Sequence, residues 1–294
     1  MAQEGVITNK DDVVKELHND SSREDINWLV TILLIMGALF ILFPLYLTVT
    51  VALKTPQEMA QSLLALPLGF HWENFAKAIE MTHYFRSLTN SSLVTIPAVV
   101  FTLFTNSMVA YAIGRNMDKK FFKLLYYYFI SAMFIPFPII MLPIVKEMSL
   151  FGLDNIPGLI ILYIVYGLSL NIFIYIGYIK SIPRTIEEAA IIDGANTWQI
   201  FWKIIFPLLK PVNATVAILT GLWAWNDFML PLVILSDRSS MTLPLVQHVF
   251  QSQFSTNYNL AFASYLLALI PMLLLYIFAQ KWIIGGVMRG SIKE

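Results

Sequence analysis

The residues of this chain best suited to chemistry are polar groups embedded in long apolar stretches. Asp227 is the strongest of them. An ionised carboxylate at the centre of a spanning helix costs about 2.5–3.5 kcal/mol and needs a partner, water or the outer surface. Trp223 and Asn226 share its helical face, whereas Trp225 points elsewhere. Upstream, Tyr163, Gly167, Asn171, Tyr175 and Tyr178 recur at helical spacing, and so do Ser91, Thr95, Thr102 and Asn106. Polar groups beside flat aromatic rings could line a path for a polar solute through the membrane. Asn171, Tyr175, Trp223, Asn226 and Asp227 are therefore candidate path residues. Interhelical packing is the alternative, since small and polar residues also act as glue between membrane helices.

Other chemistry finds little support. The absence of cysteine excludes disulfides, thiolate catalysis and zinc–thiolate sites. The four histidines, His18, His71, His83 and His248, show no ligand spacing, and no Ser/His/Asp set falls in a plausible pocket. A phosphate-cradling G-x-x-x-x-G-K-[ST] loop is missing too. Gly285 and Gly290 have its spacing, but Ser291 and Ile292 follow with no lysine. The chain is expected to bind no metal or cofactor and to catalyse no reaction of its own. Its net charge of zero gives no hint of nucleic acid.

The elements that must position these residues are membrane spans. Of 294 residues, 57% are hydrophobic and 13% charged, against roughly 45–50% and about 25% in soluble domains. Too little polar surface is left to cover a water-soluble globule. Six stretches reach the ~20 apolar residues that a spanning helix needs, at 27–50, 86–113, 121–145, 157–179, 211–235 and 259–284. The third holds Pro136, Pro138 and Pro143 and is expected to kink or break near its exit. The expected fold class is all-α integral membrane, with six transmembrane helices. Residues 1–26 form a polar tail of seven acids and three bases without a signal-peptide pattern, so the first stretch reads as an uncleaved span. Residues 27–284 make the membrane domain and 285–294 a second tail. Fourteen Lys and Arg fall on one side of this arrangement and five on the other, which puts both termini in the cytoplasm. Two outer loops are either partner contacts or ordinary surface. One is 52–85, with a short helix around 72–79, and the other is 236–258, with Gln247, Gln251 and Gln253.

The cytoplasmic loop 180–211 is too long and too organised to be a mere connection. Thr185 followed by Glu188 reads as a capping box, and Glu187 and Glu188 suit the positive end of a helix dipole. Ala189 to Ile192 continue the helix, and Gly194 supplies a left-handed stop after Asp193. A first helix of about ten residues would be ~15 Å long, the size of a knob for a groove in another protein. Residues 197–206 make a second helix that ends at Pro207. A helix resting on the bilayer surface is the alternative.

Glu188-Ala189-Ala190, Gly194, Ile204 and Phe206-Pro207 stand at the spacing of the EAA motif. In them the loop resembles that of the permease subunits of binding-protein-dependent ABC importers, with Phe206 where the family pattern has leucine. The runs 194–201, 225–232 and 285–293 are similar to the carbohydrate-uptake branch, within it to the maltose-type six-span subunit. The resemblance implies the type I ABC importer permease fold and a coupling helix that docks on a separate ATPase subunit. Glu187, Glu188, Ala189, Ala190, Asp193 and Gly194 would be its coupling residues. Also implied are two copies of the ATPase carrying ATP and Mg, a second and non-identical permease, and an extracellular solute-binding protein. The cargo would be a sugar or oligosaccharide, and the location a bacterial or archaeal cytoplasmic membrane. A permease of the same superfamily for an amino acid, peptide or polyamine is one alternative. An ion-coupled secondary transporter is another, but it expects paired intramembrane acids or broken helices in repeated halves, and neither is visible.

Overall fold

The computed structural model describes residues 28–250 and 257–291, with the side chains of 249, 278, 279 and 281–291 left aside. The polar tail 1–26, Gln251, Gln253 and residues 292–294 of the second tail lie outside them. The chain divides into two compact units, residues 1–48 and 49–294. Helix α1 (Trp28–Ala52) is exposed and apolar on all sides from Trp28 to Tyr46, apart from Thr31. A helix that is hydrophobic all round needs lipid or protein around it. Its 25 residues make ~38 Å, enough to cross a ~30 Å hydrocarbon core.

The second unit is a set of helices, with no strand among the described residues. Two short helices, α2 (Pro56–Gln61) and α3 (Glu73–Met81), precede the long α4 (Tyr84–Arg115). Then come α5 (Lys120–Ser131), α6 (Phe137–Leu150), α7 (Ile156–Ile179) and the loop helices α8 (Thr185–Ile192) and α9 (Thr197–Ile200). The chain closes with α10 (Lys210–Asn226), α11 (Met229–Ile234), α12 (Leu243–Val246) and α13 (Tyr258–Ser291). Four helices, α1, α4, α7 and α13, are long and apolar enough to span a membrane, and two bent pairs bring the total to six.

The interrupted spans depart from expectation in an instructive way. The third was expected to kink or break, and it does far more than kink: Lys120–Phe134 and Phe137–Leu150 meet at 107°. Ile135 and Pro136 are both extended, as a residue before proline must avoid the helical region and proline offers no N–H to continue the ladder. The fifth was expected as one helix over 211–235, and it is not one. Helix α10 stops at Asn226, Asp227 is extended, and α11 resumes two residues later. The Asp227 carboxylate takes the Met229 amide at 3.0 Å, a local bond that competes with helical pairing. Asp227 thus sits at a break and not at a helix centre.

Helices α4 and α7 form the most extensive pairing, with α10 packed on both. At Gly114 a Cβ would make ordinary contact with the Ile176 and Ile179 side chains at 3.5 Å, so this end of α4 is packed against α7. One apolar cluster, around Ile113, Ile176, Ile179, Ile205, Leu209 and Val216, surrounds the loop end of this layer. Another, around Val94, Leu159, Tyr163, Leu230 and Ile234, fills the opposite end.

The loop 52–85 is held by buried polar bonds. Lys54 is 1% exposed, and its Nζ donates to the carbonyls of Ser62 and Leu63 at 3.0 and 2.9 Å. Asn74 donates to the carbonyls of Ala52 and Lys54, both at 2.9 Å. Thr55 and Glu58 form a true capping box. The amides of Thr55 and Leu68, bonded to Glu58, hold its carboxyl below the usual range. The expected helix around 72–79 is α3.

Candidate functional site

The loop 180–211 begins where α7 ends. Pro183 fixes its own φ, and Arg184 already has helical geometry. The capping box expected from Thr185 and Glu188 does not form. Arg184 occupies the N-cap position, and its carbonyl takes the amides of Glu187 and Glu188 at 2.9 and 3.0 Å. The box belongs instead to Asn196 and Gln199 at the start of α9, where each side chain bonds the other's amide at 2.9 Å. Helix α8 has eight residues and is therefore ~12 Å long, shorter than expected. Its stop is the one expected. Gly194 adopts φ +83°, with Gly194 N bonded to Ile191 O at 3.0 Å and Ala195 N to Ala190 O at 2.9 Å. These bonds satisfy carbonyls that the helix end would otherwise orphan.

Two residues that no sequence pattern had tied to this loop, Arg115 and Tyr111, fasten it to α4. Arg115 Nε donates to Glu187 Oε1 at 2.6 Å, and Tyr111 Oη donates to Oε2 at 2.6 Å. The same guanidinium reaches Ile182 O at 3.1 Å, and Arg184 Nη2 returns a bond to Arg115 O at 3.0 Å. The Arg115 and Glu187 side chains are each 12% exposed, so the pair is largely screened from water. Ala190 is buried beside them in the apolar cluster. Glu188, Ala189, Asp193 and Gly194 are exposed, and so are Ile191, Ile192 and Trp198, at 61%, 86% and 65%. The loop thus has an inner, fastened side and an outer, apolar side.

Beyond α9 the chain widens into a π-helical turn, Phe201–Ile205, before Pro207. Rings from this turn and the next residue pack on α4: Phe201 lies 5.5 Å from Tyr111 and Trp202 5.6 Å from Phe104, both tilted, and Phe206 stacks on Phe104 at 5.5 Å. Thr197–Leu208 then meets α10 at 76°. Displacement of the loop therefore bears directly on α4 and α10.

The five candidate path residues separate into two groups. Asn171 and Tyr175 are buried between helices, and Tyr175 Oη donates to Asn213 Oδ1 on α10 at 2.7 Å. Beside Asn171 the amide nitrogens of Asn106 and Asn171 converge on Gly167, where an added Cβ would meet them at 3.4 and 2.9 Å. Neither nitrogen has a hydrogen-bond partner, and nor has Thr102 Oγ1 on the same seam. Trp223, Asn226 and Asp227 lie together towards the other end. Tyr163 Oη donates to Asp227 Oδ2 at 2.9 Å, and its ring meets Trp223 edge-on at 5.0 Å. Asn226 is exposed and donates to Leu222 O at 2.8 Å. Trp225 indeed faces away, into an apolar groove of about 560 Å³ beside Leu88 and Leu269. Among the described residues no group of His, Cys, Asp and Glu is arranged to hold a metal.

Comparison with known proteins agrees with this geometry. Residues 86–289 match the family described as binding-protein-dependent transport system inner membrane component. The multiple sugar-binding transport system permease protein MsmG of Streptococcus mutans is 41% identical over 267 residues, covering 89% of this chain and 95% of the relative. The fold is similar to that of a chain in a bacterial ABC transporter that imports the acidic polysaccharide alginate. There the TM-score is 0.74 at 22% identity, over 94% of this chain and 99% of that one. A bacterial alginate ABC transporter in complex with an alginate pentasaccharide-bound periplasmic protein gives a TM-score of 0.64 at 19% identity, over 86% and 93%. This chain belongs to the inner membrane components of binding-protein-dependent transport systems and has the fold of an ABC importer permease.

Proposed function

We propose that this chain is the permease subunit of an importer that moves a sugar or oligosaccharide into a bacterial or archaeal cell. It crosses the cytoplasmic membrane with both termini inside. Two copies of a separate ATPase subunit, carrying ATP and Mg, dock on the 180–211 loop, and this chain itself binds no cofactor. A second, non-identical permease completes the path, and an extracellular solute-binding protein delivers the cargo. The multiple sugar-binding permease and the alginate transporters to which this chain is similar support the sugar, and the periplasmic protein in the alginate complex supports the delivery step.

The observation that carries the coupling role is the two-sided loop. Its outer side offers Ile191, Ile192 and Trp198 with Glu188, Ala189, Asp193 and Gly194, a mixed apolar and polar face suited to a groove on a partner. Its inner side is fastened through Glu187 and Ala190 to α4 and the apolar cluster. A push on the outer face is passed to α4 and α10 and not absorbed within the loop. Trp223, Asn226 and Asp227, with Tyr163, then form the polar and aromatic end of the solute path, and Asn171 and Tyr175 form its inner stretch.

Reconstitution with the ATPase subunits, the second permease and the binding protein tests this directly. Uptake of labelled oligosaccharides should require ATP. At Gly194 an added side chain meets open space, so Gly194→Val acts through backbone strain alone, about 1–2 kcal/mol. Its uptake and stimulated ATP hydrolysis should fall although it reaches the membrane. For the path, Trp223→Ala and Asn171→Ala should alter uptake of different sugars unequally while basal hydrolysis persists. Uptake without ATP would overturn the importer reading, and equal loss for every sugar would reduce the path residues to packing.

A further inference from the structure

At the end of α4 opposite the loop lies a pocket of about 400 Å³ whose rim is basic. His83 and Arg86 come from the start of α4, and Arg238 and His248 from the 236–250 segment. Leu232, Met241 and Leu245 supply apolar walls. Helix α4 has 32 residues, so this pocket and Arg115 stand ~48 Å apart at the two ends of one rod. The importer reading puts this end outside the cell.

The pocket is built rather than incidental. Asn90 donates to the carbonyls of Ser239 and Met241 at 2.8 and 3.0 Å. Ser91 Oγ accepts the Leu243 amide at 2.8 Å and is itself buried. These bonds hold the Arg238 segment against the first turns of α4. On the other wall, His83 adopts φ +45°, the one non-glycine residue with positive φ among those described. Such a conformation costs about 1–3 kcal/mol and persists only where the surroundings impose it. Here it turns the chain between α3 and α4, bringing His83 and Arg86 to the same pocket. The N-terminus of α4 adds its own partial positive charge.

The positive charge lacks a full counterpart. Asp237 is the nearby carboxylate, and it is engaged by the amide and hydroxyl of Ser239. Those bonds, with a smaller contribution from Arg86, hold it below the usual carboxylate range. Among the described residues neither Arg86 nor Arg238 has an ion-pair partner within 4.0 Å. Two guanidiniums over apolar walls match a carboxylate on a short aliphatic stem. Arginine binds carboxylates through paired N–H donors, and both arginines are exposed, so an incoming carboxylate can reach them.

We propose that this pocket receives an acidic side chain of the extracellular solute-binding protein, clamped by Arg86 and Arg238. A carboxylate presented by a docked protein carries no separate translational cost, so a clamp too exposed to retain a small anion still contributes when the anion arrives tethered. This inference rests on the importer reading above and assigns part of its docking surface. As a charged contact at the rim of an interface, the clamp should act mainly on association rate and on salt dependence.

The test uses the assembled transporter in nanodiscs of zwitterionic lipid, titrated with the solute-loaded binding protein that stimulates its ATP hydrolysis. In Arg86→Gln/Arg238→Gln the half-saturating concentration should rise about tenfold and depend less on salt. Basal and maximal hydrolysis should stay at the native level, which also shows that the variant is folded and assembled. Arg86→Lys should recover part of the loss. Arg86→Glu should be rescued by a lysine in place of one surface carboxylate of the binding protein. Unchanged half-saturation and salt dependence in the double glutamine variant would overturn the clamp. So would an effect seen only with anionic lipid present, which would make the pocket a headgroup site. An effect that followed the charge of the solute and not the concentration of binding protein would overturn it as well. If no binding protein stimulates the native transporter, the importer reading itself has failed.

Discussion

Glu187 shows how one residue can be recognised in sequence for a lesser reason than the structure gives it. Its place in the first turn of α8 suits the helix dipole, and it stands just before the Glu188-Ala189-Ala190 motif. Its partner Arg115 lies 72 positions earlier, and nothing in local spacing points there. The same limit explains the misplaced capping box. Thr185 and Glu188 have the pattern, but Arg184 had already entered the helix behind Pro183, so the Thr185 hydroxyl has no N-cap role to play. Asn196 and Gln199 carry the pattern equally and do form it. The ion pair makes a prediction at this scale. Glu187→Gln removes the charge-assisted bonds to Arg115 and Tyr111 and should cost about 1.5–3 kcal/mol. Arg115→Leu/Glu187→Leu should cost less than the sum of its two single changes, because each single change strands a half-screened charge. Thermal unfolding of the four proteins in one detergent measures the coupling, and strict additivity would refute it.

At the scale of elements, composition alone revealed the spans, because each needs only enough consecutive apolar residues. The stripes of small and polar residues on α4 and α7 were visible too, and Thr102, Asn106, Gly167 and Asn171 from the two stripes meet without hydrogen-bonding one another. Two features escaped, each for a local reason. The 107° turn after Phe134 follows from extended backbone at Ile135 and Pro136, and proline content announces a break but not its angle. The stop before Asp227 follows from a carboxylate that bonds an amide two residues on, which hydropathy cannot see. Glycines at the ends and middle of α7 separate tight from open packing. At Gly158 a Cβ would fall 1.8 Å from the Leu153 carbonyl oxygen, whereas at Gly177 nothing lies within 4 Å. Gly158→Ala should therefore cost about 3 kcal/mol or more, since backbone must move. Gly177→Ala should be neutral or stabilise by up to about 1 kcal/mol. Paired melting temperatures check this, and equal behaviour of the two variants would contradict the tight turn between α6 and α7.

Across the whole molecule, the division of Lys and Arg predicts which end faces the cell interior, and the absence of cysteine makes that prediction easy to test. Single cysteines at Asp118 and Asn196 should resist an impermeant thiol reagent added outside intact cells, and one at Arg238 should react. Labelling at Asn196 from outside would invert the topology and remove the loop from the ATPase side. The loop's outer face has a further consequence. With Glu187 committed to α4, what remains for a partner is dominated by Ile191, Ile192 and Trp198, all largely exposed. Burial of such a surface is driven near room temperature by the entropy of released water, and it weakens on cooling. Subunit assembly at the inner face should thus carry a negative heat-capacity change. The complex should loosen in the cold, so the permease would be a subunit better purified warm than on ice.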